Sequence, residues 1–138
     1  MNNQKITVEV TIDKGIEKVW ELWNEPEHII KWNHASDDWH TVRAENDLKV
    51  GGKYFYRMEA KDGSIGFDCE AVYTDVIPGK KLEYIGLGDR TVTIHFEAQG
   101  EKTFITETFD AENENPIELQ KNGWQAIINN FKKYVESV

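Results

Sequence analysis

The stretch Leu22 to His40 reads LWNEPEHIIKWNHASDDWH and concentrates the chain's candidate chemistry. It holds His28, His34 and His40 at intervals of six, with Glu25, Glu27, Asp37 and Asp38 between and beside them. Zinc pairs on a helix use spacings of three or four, which put both imidazoles on one face. Six residues turn a helix through about 240°, so these histidines converge only if the chain bends between them. The spacing argues against a metal site, and exposed loop histidines are the plainer reading. Asp37-Asp38 could serve as acid and base or hold a hard cation, but adjacent aspartates also begin turns and cap elements. A calcium loop needs regularly spaced acids, a glycine and a distant glutamate, and that pattern is absent.

Two further residues carry potential chemistry. Cys69 alternates with Phe67 and Ala71 on an apolar face, between Asp68 and Glu70. Acidic neighbours disfavour a thiolate, so a small buried residue is expected. Glu107 lies in KTFITETF, where both faces carry apolar residues, so the alternation leaves its direction open. Facing a cavity, its carboxyl would have a raised pKa and could act as a general acid or base, or orient a polar ligand group. No glycine-rich phosphate loop, C-x-x-C or G-x-S-x-G occurs, so no cofactor is expected.

The elements that must position these groups are legible from hydrophobic period. Lys5 to Ile12 alternates strictly, with Ile6, Val8, Val10 and Ile12 on one face, as a half-buried strand does. Asp13 is placed to cap a helix carrying Ile16, Val19, Trp20 and Trp23, and Pro26 opens a second short helix, PEHIIKW. From Trp39 to Asp110 strands alternate with turns at Gly51-Gly52, Lys61-Asp62-Gly63, Pro78-Gly79 and Gln99-Gly100. Tyr54, Tyr56 and Met58 share one face, as do Phe67, Cys69, Ala71 and Tyr73. The final segment, Pro116 to Val138, is an amphipathic helix with a stripe of Leu119, Trp124, Ile127, Ile128, Phe131, Tyr134 and Val135. Strand, two helices, about six strands and one long helix make an α+β domain, in which the last helix covers an antiparallel sheet of about seven strands.

Composition narrows the function. The chain has 138 residues, which suits a single domain spanning 1–138. Its net charge of −9 argues against nucleic acid and against an anionic membrane surface. One cysteine permits no internal disulfide, and no run of 18 apolar residues occurs, so membrane insertion is not expected. The first ten residues lack the apolar run of a signal peptide, and a cytoplasmic location is the expectation. Aromatic residues make up 12% of the chain, and Trp20, Trp32, Trp39, Tyr54, Tyr56, Phe67, Tyr84, Trp124 and Phe131 lie on apolar faces. Such rings form a plain core, the wall of a pocket, or both.

This order of elements resembles the START-like (SRPBCC) superfamily with its helix-grip fold. Within it the chain resembles the family of the activator of heat-shock-protein ATPase homologue. The resemblance rests on V-W-E-L-W at 19–23, P-E-H-I-I-K-W at 26–32, N-D-L-K-V-G-G at 46–52, D-G-S-I-G-F at 62–67, the Pro78 turn before Lys81-Leu82, and Gly123-Trp124. It covers nearly the whole chain and lies in the order and spacing of these motifs. It implies a curved sheet around the C-terminal helix, with a cavity between them for an apolar or amphipathic small molecule. Its register puts Ile105 and Phe109 inward, and Glu107 with them.

On that basis the expected cavity is lined by Trp32, Trp39, Tyr54, Tyr56, Met58, Phe67, Tyr84, Glu107, Trp124, Ile128 and Phe131, with His34 and Asp37 at the rim. A lipid, polyketide or aromatic metabolite is the expected ligand. The alternatives are a cyclase- or hydratase-type enzyme using Glu107, or a helper module that contacts a chaperone.

Overall fold

A computed structural model describes residues 4–86, 89–112 and 114–138. The alternating segments form seven strands: β1 (Lys5–Ile12), β2 (Trp39–Asn46), β3 (Lys53–Ala60), β4 (Gly66–Ile77), β5 (Lys81–Ile85), β6 (Thr91–Gln99) and β7 (Lys102–Asp110). The helices are α1 (Ile16–Asn24), α2 (Pro26–Trp32) and α3 (Ile117–Ser137). All neighbouring strands are antiparallel, in the order β1-β7-β6-β5-β4-β3-β2, and the sheet curls into a half-barrel. This is the expected α+β helix-grip architecture.

Strands β2 to β7 each pair with the next in chain order, which makes a meander. The one long excursion is α1 and α2, which carry the chain from β1 at one edge to β2 at the other. Irregularities in pairing between Thr41 and Arg43 and between Tyr73 and Asp75 bend the sheet locally, as extra residues in one strand do. Gly51 and Gly52 bind the β3 start to β4: Gly51 N–H donates to Tyr73 O, and Tyr73 N–H donates to Gly52 O. Gly51 has φ +86°, and a Cβ on Gly52 would lie 2.0 Å from Asp47 O, so both positions need glycine.

The core is centred on rings from four elements. Trp23 of α1, Trp32 of α2 and Phe131 of α3 meet with centroid separations of 4.9, 4.7 and 4.8 Å, and Phe96 of β6 lies 5.6 Å from Trp23. The edge-on and tilted geometries are those that aromatic quadrupoles favour. The Trp32 indole N–H donates to Leu22 O across 3.0 Å, so the buried ring keeps its polar atom satisfied.

Two local expectations are corrected. Asp13 does not cap α1; Gly15 stands at that position without a side-chain cap, and the Asp13 N–H donates instead to Glu136 of α3. Leu119, expected in the apolar stripe of α3, lies in its first turn and is 58% exposed. That turn is held from its other side by Gln120, whose amide bridges Glu112 O, Asn115 O and the Glu112 N–H.

Phe131→Ala removes the ring shared by α1, α2 and α3. It is expected to cost about 3–5 kcal/mol, the range for losing a buried phenylalanine, as measured by urea unfolding.

Candidate functional site

The strand period of two sends one side of β3, β4 and β5 toward α3. Register aligns Tyr54 with Ala71, Tyr56 with Cys69, Met58 with Phe67, and Tyr73 with Tyr84. Cross-strand partners share a face, so these residues make one aromatic floor. Tyr54 lies 5.4 Å from Tyr56 and 5.7 Å from Tyr84, centroid to centroid. On the far side of the sheet, Val8 and Ile94 flank Glu107 in register, which carries Glu107 to the same inward face.

Between this floor and α3 lies a chamber of about 190 Å³. Its wall combines Tyr54, Tyr56, Met58, Phe67, Tyr84 and Glu107 of the sheet, Trp124 and Ile127 of α3, and Trp23, Trp32 and Asn33 at the α1–α2 end. A second chamber of about 100 Å³ adjoins it, sharing Tyr54, Tyr56, Tyr84 and Trp124 and extending to Cys69, Arg90, Val92, Phe109 and Asp110. Cys69 is half-buried beside this space rather than sealed in the core. Trp124 marks the division, its ring stacked 3.7 Å from that of Phe109. A larger concavity of about 800 Å³ on the opposite face, lined by Arg43, Asp47, Lys53 and Asp68, is open polar surface.

Glu107 is the unusual member of the inner wall. It is 6% exposed, and among the described residues no hydrogen bond or ion pair reaches its carboxyl. Burial alone pushes its pKa up to about 8, so it is mostly a neutral acid at pH 7. Burial likewise raises the phenols of Tyr54, Tyr56 and Tyr84 well above 10, and the thiol of Cys69, which lies within hydrogen-bond reach of Tyr56. Tyr73 differs: its hydroxyl donates to Asn46 Oδ1 at 2.6 Å.

Asn33 is the second polar group. It ends α2, its N–H donating to Ile29 O and its carbonyl accepting from Thr41 Oγ1. Those bonds fix its backbone. Its side chain is left at the chamber, with Nδ2 buried and without a partner.

The expected cavity residues separate into two groups. Trp32, Tyr54, Tyr56, Met58, Phe67, Tyr84, Glu107 and Trp124 come together around the chamber. Ile128 and Phe131 do not reach it; both are fully buried in the core behind it, because the helical rotation turns Ile127 rather than Ile128 toward the space. Trp39 stands outside the wall, its ring 5.7 Å from that of Phe67, which is itself 43% exposed at the mouth. Asp37 is exposed. His34 is half-buried, its carbonyl accepting from Asn130 of α3, and burial lowers its pKa.

The three histidines do not form a cluster. His28 instead lies near Glu25 and Glu27, with ligand-capable atoms within 4.8 Å of one another, and its Nδ1 is 2.7 Å from the Tyr134 hydroxyl. Trp23, Asn33 and Ile127 join the wall although the sequence does not mark them as cavity residues. The helical spacing of Trp23 and Ile127 shows apolar stripes but not which members border a space. Asn33 reads as an ordinary helix end.

The model of the family described as "Activator of Hsp90 ATPase homolog 1-like protein" matches residues 13–136. The chain belongs to that family. A solution structure of an AHSA1-like protein from Aeromonas hydrophila shares 43% identity and superposes with a TM-score of 0.91, over 97% of this chain and 93% of the other. A protein from Cytophaga hutchinsonii is 53% identical, with a TM-score of 0.84 over 96% of this chain and 92% of the other. A Chromobacterium violaceum protein, 20% identical with a TM-score of 0.86 over 96% of each chain, shares the fold. No match is found among curated proteins. Membership supports a domain of the ligand-binding type, with a curved sheet gripping a long helix.

The buried acid has a measurable consequence. Below pH 4.5 Glu107 is protonated in folded and unfolded chains alike. Between 4.5 and about 8 the unfolded carboxyl ionises while the folded one keeps its proton, so the folded state binds more protons and loses stability as pH rises. Glu107→Gln removes this penalty. Urea unfolding is expected to show wild type and variant alike near pH 4, with the variant more stable by a few kcal/mol near pH 9, since each tenfold change in proton affinity is worth about 1.4 kcal/mol.

Proposed function

We propose that this protein binds a small, largely apolar molecule in the chamber between the sheet and α3. The observation that carries this reading is a ring-lined space of about 190 Å³ bordered by a buried carboxyl and a buried amide, neither with a partner among the described residues. A packed core has no use for such groups, because each unsatisfied polar atom costs about 1–3 kcal/mol. A ligand with an apolar body and one polar end satisfies both. The rings supply area, at about 25 cal/mol per Å² removed from water, and the polar pair sets orientation.

The volume limits the ligand to a compact molecule, below the roughly 300–1,000 Å³ of drug-sized sites. A long-chain lipid exceeds it; a single aromatic ring with a short side arm fits. Phe67 and Trp39 sit where such a molecule would enter.

Native mass spectrometry of the purified protein, followed by a thermal-shift screen of aromatic metabolites, tests the reading. The expected result is a retained small molecule, or a compound that raises Tm and quenches the fluorescence of Trp23, Trp32 and Trp124. Ile127→Trp fills the chamber from α3 and is expected to weaken that binding by about tenfold or more, while the protein still unfolds cooperatively. Equal binding by wild type and Ile127→Trp would place the ligand elsewhere.

A further inference from the structure

The geometry points to a small organic ammonium ion, a lipophilic primary amine or quaternary ammonium, as the ligand of the inner chamber, held by Glu107 within a cage of aromatic faces. This inference rests on the ligand-binding reading above and specifies the chemistry of its polar end.

Three features of the wall select the charge type. No lysine, arginine or histidine is among the described residues that line the 190 Å³ chamber. A carboxylate or phosphate head in this chamber would therefore enter a low-dielectric space beside an acid it would hold protonated, while Arg90 lines the adjoining chamber. The chain's net charge of −9 adds a field that repels anions and attracts cations. Anionic ligands are disfavoured on each count.

The remaining choice is between a neutral head and a cation, and the rings decide it. Tyr54, Tyr56 and Tyr84 neighbour Glu107 on the floor, with Trp23, Trp32 and Trp124 above and at the end. Rings border this one small space, and aromatic faces attract ammonium groups, most strongly when desolvated. A neutral head gains less from a ring face, through the weaker X–H contacts to the π system. Asn33 completes the site: its Nδ2 is buried without a hydrogen-bond partner among the described residues, and a half-turn of the amide puts its oxygen there for an ammonium N–H.

Binding of the cation exchanges one positive charge for another. The free protein holds Glu107 protonated. The ammonium ion displaces that proton to solvent and leaves a carboxylate–ammonium pair, so no covalent bond forms or breaks beyond the carboxyl O–H. The other titratable groups that interact with Glu107 are Tyr54 and Tyr56 of β3 and Tyr84 of β5, and burial moves their pKa values upward; Cys69 of β4 and the guanidinium of Arg90 line the adjoining chamber. From β1, β6 and α3 the neighbours are the apolar Val8, Ile94, Trp124 and Ile127. Glu107 is therefore the group that titrates near pH 8.

Four probes built on one ring separate the possibilities: 2-phenylethylamine, benzyltrimethylammonium, 2-phenylethanol and 3-phenylpropanoate. Isothermal titration at pH 7 in two buffers of different ionisation enthalpy reads affinity and proton release together. The amine is expected to bind at least about tenfold more tightly than the alcohol, and to release about 0.9 proton. The carboxylate is expected not to bind. Benzyltrimethylammonium, which cannot lose a proton, is expected to gain about tenfold in affinity per pH unit up to about pH 8 and then level off. Glu107→Gln, its folding verified by Tm, is expected to abolish proton release and the preference for the amine over 2-phenylethanol. An alcohol that binds as tightly as the amine, or an amine that binds without proton release, overturns the ammonium inference and leaves the ligand-binding reading standing. Failure of all four probes to bind or to quench tryptophan fluorescence overturns both.

Discussion

The mutual packing of Trp23, Trp32 and Phe131 is the contact on which the rest of the molecule depends. These rings belong to α1, α2 and α3, and through Phe96 they reach the sheet. Neither α1 nor α2, at nine and seven residues, is long enough to be stable alone. Each is held by what its tryptophan buries. The same rings set the position of α3, which must cross the concave face at a height that accommodates them. Large, rigid side chains at one end of the helix and the stacked Trp124–Phe109 pair near the other leave the floor of tyrosines uncovered between them. The chamber is thus a consequence of how the core is braced.

That arrangement carries an electrostatic cost. A carboxyl on β7, next to the β1 edge of the sheet and flanked in register by Val8 and Ile94, loses its hydration and gains no partner among the described residues. An apolar residue there would avoid the cost of burying a polar group without a partner. Asn33 repeats the pattern on a smaller scale: its backbone is fully engaged while its amide is not. Asn24 Oδ1 and His34 Nδ1 are also buried without a hydrogen-bond partner among the described residues, but Glu107 and Asn33 are the two that share the chamber wall. Family membership by itself gives the scaffold, and the chemistry must be argued from the side chains that this chain places on it.

Much of the fold is legible in the sequence because its determinants are local. Alternation in KITVEVTI, the Pro26 start of α2 and the stripe from Trp124 to Val135 each express one period, and the structure contains the corresponding elements. The paired tyrosines of β3 fall on one face for the same reason. Legibility fails where a residue's role depends on rotation by a single position or on a distant partner. Ile127 and Ile128 are adjacent in the same stripe, yet one borders the chamber and the other is sealed behind it. Asp13 has the type and place of a cap, but its N–H is claimed by Glu136, 123 residues away. The histidines draw attention by their type, whereas the polar residue of that stretch at the chamber is Asn33, which lies between two of them.

The sequence by itself determined the element order, the antiparallel meander and the aromatic character of the inward face, since each follows from spacing within a few residues. It also determined the acidic charge that sets the sign of the surrounding field. Only the tertiary structure decided which way Glu107 points. In KTFITETF both faces are apolar, and the choice was made by pairing with β1 on one side and β6 on the other, which aligns Glu107 with Val8 and Ile94. The emptiness in front of it was decided at the same level, because a cavity is set by the distance between packed elements, and no local pattern encodes that distance.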